Sequence, residues 1–293
     1  MKPRDIADLL LLAALWGGSL PFMRVAAPEF GPLALIAVRV AVAAIVLLPL
    51  WALRPRRTPW TAHAWPLVWV GLFNSALPFS LFAFATLTVT AGFAAILNAT
   101  APLWGAVIAH YWLRERLTRW RVLGLALGVV GVAALVWGKT SFAAGGSGWA
   151  IAAAIAATAS YGWAACYARR ALAGVDALTV ATGSQLGAAL LLAPLAFWSW
   201  PASRPSTTAW VSVIALGLAC TALAYILYFR LIANVGAGRA IAVTFVAPLF
   251  AVLWGGLWLG ESVTPQMLAG AAVMLAGTAL AVGLIRPRQR AIA

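Results

Sequence analysis

Charge is the scarcest property of this chain. Only 9% of its 293 residues are charged, and just six are acidic: Asp5, Asp8, Glu29, Glu115, Asp176 and Glu261. Soluble domains carry about 25% charged residues, so a soluble core does not account for this composition. Histidine is almost missing: His63 and His110 lie in different segments, and no Cys/His grouping has metal-ligand spacing. Both cysteines, Cys166 and Cys220, sit inside apolar runs, where small core residues are the simpler reading than a disulfide. No metal or other cofactor is expected. An enzyme working inside a membrane would need a nucleophile–base pair, a metal triad or paired carboxylates in its apolar segments. None is present, so catalysis is not expected.

What remains is apolar. Hydrophobic residues make up 64% of the chain, and about 20 mostly apolar residues suffice for a helix to cross the hydrocarbon of a bilayer. Reading on that basis gives ten spans: 6–25, 32–53, 66–87, 92–113, 122–137, 148–168, 178–200, 208–232, 240–259 and 265–285. The first begins like a signal peptide, but its apolar run continues to Met23 and further spans follow, so it reads as an uncleaved membrane helix. The short connections leave no room for a soluble domain.

The net charge of +14 would suggest nucleic acid in a soluble protein. Here the basic residues fall in short clusters between the apolar runs, so no nucleic-acid partner is expected. With the N-terminus inside, sixteen Lys and Arg lie on the cytoplasmic side, among them Arg54, Arg56, Arg57, Arg114, Arg116, Arg169, Arg170, Arg230 and Arg239. Only Arg24, Lys139 and Arg204 face outward, and Arg39 lies within a span. Such asymmetry places both termini in the cytoplasm and favours an even number of spans. Membrane lipids are the expected surroundings, and the bacterial plasma (inner) membrane is the expected location.

The chain also repeats itself. A shift of 146 residues brings Gly92 onto Gly238, Ala101-Pro102-Leu103 onto Ala247-Pro248-Leu249, Trp112-Leu113 onto Trp258-Leu259, Glu115 onto Glu261 and Gly124 onto Gly270. Proline, glutamate and tryptophan at fixed spacing indicate duplication. Each half holds five spans, an odd number, so the second half enters the membrane upside down. The expected fold is all-α: ten transmembrane helices as two inverted five-helix repeats, residues 1–140 and 145–288. Inverted repeats are a common transporter architecture, with the substrate near the midplane where the halves meet.

Leu15-Trp16-Gly17, Arg39, and the paired Pro102…Leu113-Arg114-Glu115 and Pro248…Leu259-Gly260-Glu261 segments resemble the drug/metabolite transporter superfamily, as a tandem pair of EamA-type domains. The resemblance covers essentially the whole chain, departing from the usual Gly-Glu only at Arg114. It implies export of a small-molecule substrate. Length and aromatic richness make aromatic amino acid exporters the most similar members, with a multidrug or lipid-linked metabolite carrier of the same fold as the alternative.

Several residues are candidates for that work. No acid lies near mid-span, so the desolvated carboxylate of a proton-coupled pump is lacking, and facilitated efflux is the favoured reading over proton antiport. Arg39 is expected either to bond Glu261 across the halves as a gate or to snorkel to the outer interface. Pro102 and Pro248 are expected as symmetric gating bends. Most of the sixteen tryptophans suit the interfacial belt. Trp16, Trp163 and Trp254 lie deeper, with Trp16 and Trp163 in nearly corresponding places. Together with Phe79, Phe82, Tyr225 and Tyr228 they suggest an aromatic-walled cavity. Ser19, Asn74, Asn98 and Thr244 would supply polar contacts, Asn98 and Thr244 facing one pocket, and Met23 an adaptable apolar one. The glycines Gly124, Gly128, Gly131, Gly270 and Gly277 suit close helix contacts or a homodimer face.

Overall fold

The computed structural model describes residues 2–54, 58–138, 141–142, 146–236, 240 and 242–283, and among them all regular structure is helical. Arg56, Arg57, Lys139, Gly238, Arg239, Arg286, Arg288 and Arg290 lie outside the described residues, as does the last span beyond 283.

The helices follow the apolar runs. They are α1 (Pro3–Phe30), α2 (Pro32–Ala52), α3 (Thr61–Thr86), α4 (Ala91–Trp112), α5 (Arg119–Val136), α6 (Ser147–Ala171), α7 (Ala177–Trp198) and α8 (Thr207–Val235), followed by α9 (Val243–Leu259) and α10 (Pro265–Ala281). The first eight are long and apolar enough to cross a membrane, whereas α9 and α10 are shorter, at 17 residues each. In lipid, every backbone polar group must be satisfied within the protein, which is why the chain is helical throughout its apolar segments. Side chains set several starts: Thr90, Thr118, Asp176, Ser206 and Thr264 each accept a bond from the backbone N–H three residues on. Pro32 and Pro265 open α2 and α10, where no N–H bond is lost.

The halves interleave rather than sit side by side. Helix α2 packs on its counterpart α7, and α5 on its counterpart α10. Helix α1 packs on α8 and α9, while its counterpart α6 packs on α3 and α4. Helix α4 begins where α9 ends, with Ala91 and Gly92 against Glu261, so repeat-related helices run in opposite directions.

Glycines set the closest approaches. A Cβ on Gly17 would lie 2.7 Å from the Ala247 carbonyl oxygen of α9, and one on Gly162 would lie 2.7 Å from the Gly105 nitrogen of α4. Those glycines are 145 residues apart, not 146. In the fold, therefore, Trp16 corresponds to Tyr161, two residues before Trp163. In α5, Gly124 and Gly131 lie against Gly277 and Met274 of α10, and Gly128 against Leu103. That stripe is occupied inside the chain by the packing of α5 on α10 and Leu103.

Two irregularities are shared by the repeats. Immediately after Gly71 and Gly217, α3 and α8 widen into π-helical turns, Leu72–Ala76 and Leu218–Leu223. Each glycine touches the neighbouring repeat's second helix: a Cβ on Gly217 would lie 2.9 Å from the Arg39 carbonyl oxygen, and one on Gly71 would lie 2.9 Å from the Ala188 nitrogen. The proline pair is less symmetric than expected. Pro102 starts the second half of α4 after a break at 99–100, while Pro248 lies inside the unbroken α9.

Candidate functional site

The π-turns place hydroxyls against Arg39 of α2 and Gln185 of α7. Thr221 in α8 accepts a hydrogen bond from Arg39 Nε at 2.9 Å, and Ser75 in α3 accepts one from Gln185 Nε2 at 2.8 Å. Arg39 and Gln185 are 146 apart in sequence, as are Ser75 and Thr221, so one contact is built twice. Asn74 of the first turn donates to the hydroxyl of Tyr225, two residues past the second, at 3.0 Å. The Arg39 guanidinium carbon lies 3.7 Å over the Phe79 ring, a cation–π contact. These contacts correct both expectations for Arg39. It does not bond Glu261, and at 3% exposure it does not snorkel. Thr221 and Phe79 fix its direction within the protein, away from both Glu261 and water.

Aromatic rings flank this polar centre. Trp16 meets Tyr228 with centroids 5.2 Å apart, and the equivalent pair Tyr161 and Phe82 lies at 6.3 Å. Phe79 also neighbours Tyr161, and Tyr225 stacks on Phe229. Tyr161 was missed by sequence reasoning, because an offset fixed on α4 and α9 hides the one-residue shift in α1 and α6.

The remaining candidates separate. Trp163 belongs to another stack, with Phe73 at 4.3 Å, Tyr167 at 4.9 Å and Trp112 at 5.6 Å. Trp254 stacks on Trp258 at 4.7 Å and donates to the Ala14 carbonyl. Ser19 and Met23 are buried in α1. Asn98 is exposed at the end of the first half of α4, whereas Thr244 is half-buried in α9.

Sequence reasoning also missed a pair of locks at the opposite ends of α4. At one end, Glu261 pairs with Arg24 at 3.0 Å and accepts the Ala91 and Gly92 backbone N–H groups, which places a carboxylate on a helix N-terminus. Arg24 also donates to the Thr86 and Val89 carbonyls. At the other end, Glu115 pairs with Arg169 at 2.6 Å and Arg121 at 3.5 Å. Arg24 and Arg169 are 145 apart and Glu115 and Glu261 are 146 apart, so the locks are repeat equivalents. They are not in equal states: the Glu261 side chain is 8% exposed and that of Glu115 33%. The Arg169 bond holds the Glu115 carboxyl below its ordinary range, with burial opposing and the charges of Arg169 and Arg121 assisting. A further clamp joins α1 to α8 at both ends, through Asp8 with Arg230 and Glu29 with Ser206.

The profile of the EamA-like transporter family matches residues 6–137 and 148–283. A probable terminal-alkyne amino-acid exporter of Streptantibioticus cattleyicolor is 28% identical, the alignment covering 93% of this chain and 91% of that protein. An uncharacterized transporter of Bacillus subtilis is 26% identical, with 92% and 88% covered. An uncharacterized inner membrane transporter of Escherichia coli is 26% identical, with 87% and 83% covered. A crystal structure with 20% identity superposes over 96% of this chain and 97% of its own, with a TM-score of 0.67, and shares the fold.

Proposed function

We propose that this chain, which belongs to the EamA-like transporter family, exports small apolar or aromatic amino acids by alternating access between its halves. It is a multi-pass membrane transporter; the substrate, the direction and the following details are our reading. The observation that carries it is the pair of repeat-equivalent locks, both formed, with Glu261 buried and Glu115 more exposed. A duplicated molecule whose two equivalent contacts sit in unequal surroundings holds one of two related shapes, and exchanging those surroundings moves the opening across the molecule.

All ten helices cross the membrane in this reading, since 17 residues is the short end of what a span requires. The Lys/Arg bias puts both termini and Glu115 in the cytoplasm, so the more exposed lock faces inward. Location in a bacterial inner membrane follows the Escherichia coli relative. The aromatic residues Trp16, Tyr161, Phe79, Phe82, Tyr225 and Tyr228 around Asn74 suit an apolar side chain on a polar backbone. The relative that is named as an amino-acid exporter supports that class. With no acid near mid-span, efflux runs down the substrate gradient without proton exchange.

Proteoliposomes loaded with labelled phenylalanine test the reading. Efflux that tryptophan inhibits and that a proton gradient leaves unchanged is expected. Efflux that requires the gradient would overturn the uncoupled mechanism, and no efflux would overturn the substrate. A second reading, a multidrug or lipid-linked carrier, draws on a sideways groove between α1, α8 and α9 lined by Pro21, Phe22, Val211 and Trp258.

A further inference from the structure

Arg39 carries a charge that nothing in the described protein neutralises. No ion pair among the described residues includes it, and the titratable groups acting on it are Cys220, Tyr161 and Tyr225, none of them a carboxylate. Its orientation is nonetheless fixed. Nε is held by Thr221 and the planar face lies on Phe79, while Nη1 is buried with no hydrogen-bond partner. A buried cation without a counter-charge is strongly unfavourable. The equivalent position in the other half shows that the fold does not demand one, because Gln185 occupies it and makes the same kind of hydroxyl contact. Gln185 too has a buried atom without a partner, its Oε1. One open donor and one open acceptor thus lie beside the two π-turns, which Asn74 and Tyr225 link.

We infer that Arg39 is the anchor for a carboxylate on the transported solute, with Gln185 Oε1 as acceptor for an ammonium group on the same molecule. This rests on the core being the transport site, as proposed above, and adds what that site recognises. An organic carboxylate fits better than a free inorganic ion because the guanidinium lies among aromatic rings, where an apolar side chain packs as the charges pair. Arg39 supplies a planar donor edge that a lysine would replace only as a point charge.

Thermal unfolding of the purified protein in detergent, titrated with 3-phenylpropionate or with its amide, reads the inference without transport. The acid is expected to stabilise with an apparent dissociation constant about tenfold or more below that of the amide, the factor expected from a hydrogen bond to a charged group. Arg39→Gln is expected to abolish that preference and Arg39→Lys to keep part of it. Equal behaviour of acid and amide, including no shift from either, overturns the anchor, as does the same shift from sodium chloride at equal ionic strength. The wild-type comparison decides even if Arg39→Gln does not fold. If the acid stabilises through Arg39 but phenylalanine does not leave liposomes, the anchor stands and the exported class is wrong. If phenylalanine leaves and its amide competes equally, export stands and the anchor falls.

Discussion

Replacing Thr221 by valine keeps its shape but leaves Arg39 Nε without an acceptor in a dry core. An unsatisfied buried donor costs about 1–3 kcal/mol, more when charged, so Thr221→Val is expected to lower the melting temperature in detergent more than Ser75→Ala, which unpairs only a neutral amide. Similar losses from both would mean that the Arg39 charge finds another partner. At Glu115 the effect depends on pH. Its carboxyl is held below the ordinary value of 4.5 by the Arg169 bond, so the stabilisation is complete above the unfolded value and disappears as pH falls through the folded one. The stability difference between wild type and Glu115→Gln is therefore expected to be present at pH 6 and to shrink toward pH 3.5, modestly because the pair is partly exposed and screened. A difference constant across that range would show that the bond to Arg169 does not shift the carboxyl. Arg24 was legible in principle: a glutamate repeated at 146 and an arginine repeated at 145 mark two equivalent pairs. Thr221 was not, since which hydroxyl meets Arg39 depends on how α8 is rotated about its axis, and no sequence period records that.

Helices were far more legible than their irregularities. Apolar runs and flanking Arg located nearly every element, and the Pro102/Pro248 register located the duplication. The π-turns share Gly-Leu, a hydroxyl and Ala-Leu at the 146-residue offset, but nothing in that pattern of small and apolar residues marks a widened turn. They arise where Gly71 and Gly217 let another helix approach, a tertiary cause. The same approach distance governs α5 and α10. A Cβ on Gly131 would lie 2.5 Å from the Met274 nitrogen, and the atom it meets is backbone, which cannot swing away. Gly131→Ala is expected to cost about 1–3 kcal/mol by overpacking, whereas Gly138→Ala, with nothing within 4 Å but a left-handed backbone, tests strain alone. Thermal denaturation that left Gly131→Ala at the wild-type value would mean that the two helices are separated in the membrane.

For the molecule as a whole, the proposed alternating access requires the Arg24–Glu261 contact to open during each cycle. A cleavable bifunctional thiol crosslinker that spans the length of the Arg24–Glu261 ion pair is expected to join Arg24→Cys to Glu261→Cys in the absence of substrate and to stop efflux, with cleavage restoring it. Efflux that continued with the crosslink in place would exclude opening at that end. The inverted topology came from counting five helices per half, yet the interleaving did not, because a period says which segments are alike and not which ones touch.

That interleaving has a consequence for how the chain is made. Arg39 leaves the ribosome 182 residues before Thr221, and at about 5–20 residues per second the second helix waits roughly ten seconds to half a minute for the hydroxyl that receives it. During that time an arginine with no partner sits in a segment that must still enter lipid. The first half is therefore not a finished unit when it emerges. Its insertion has to be tolerated by the translocation machinery or by passing water until the second half arrives to close over the charge.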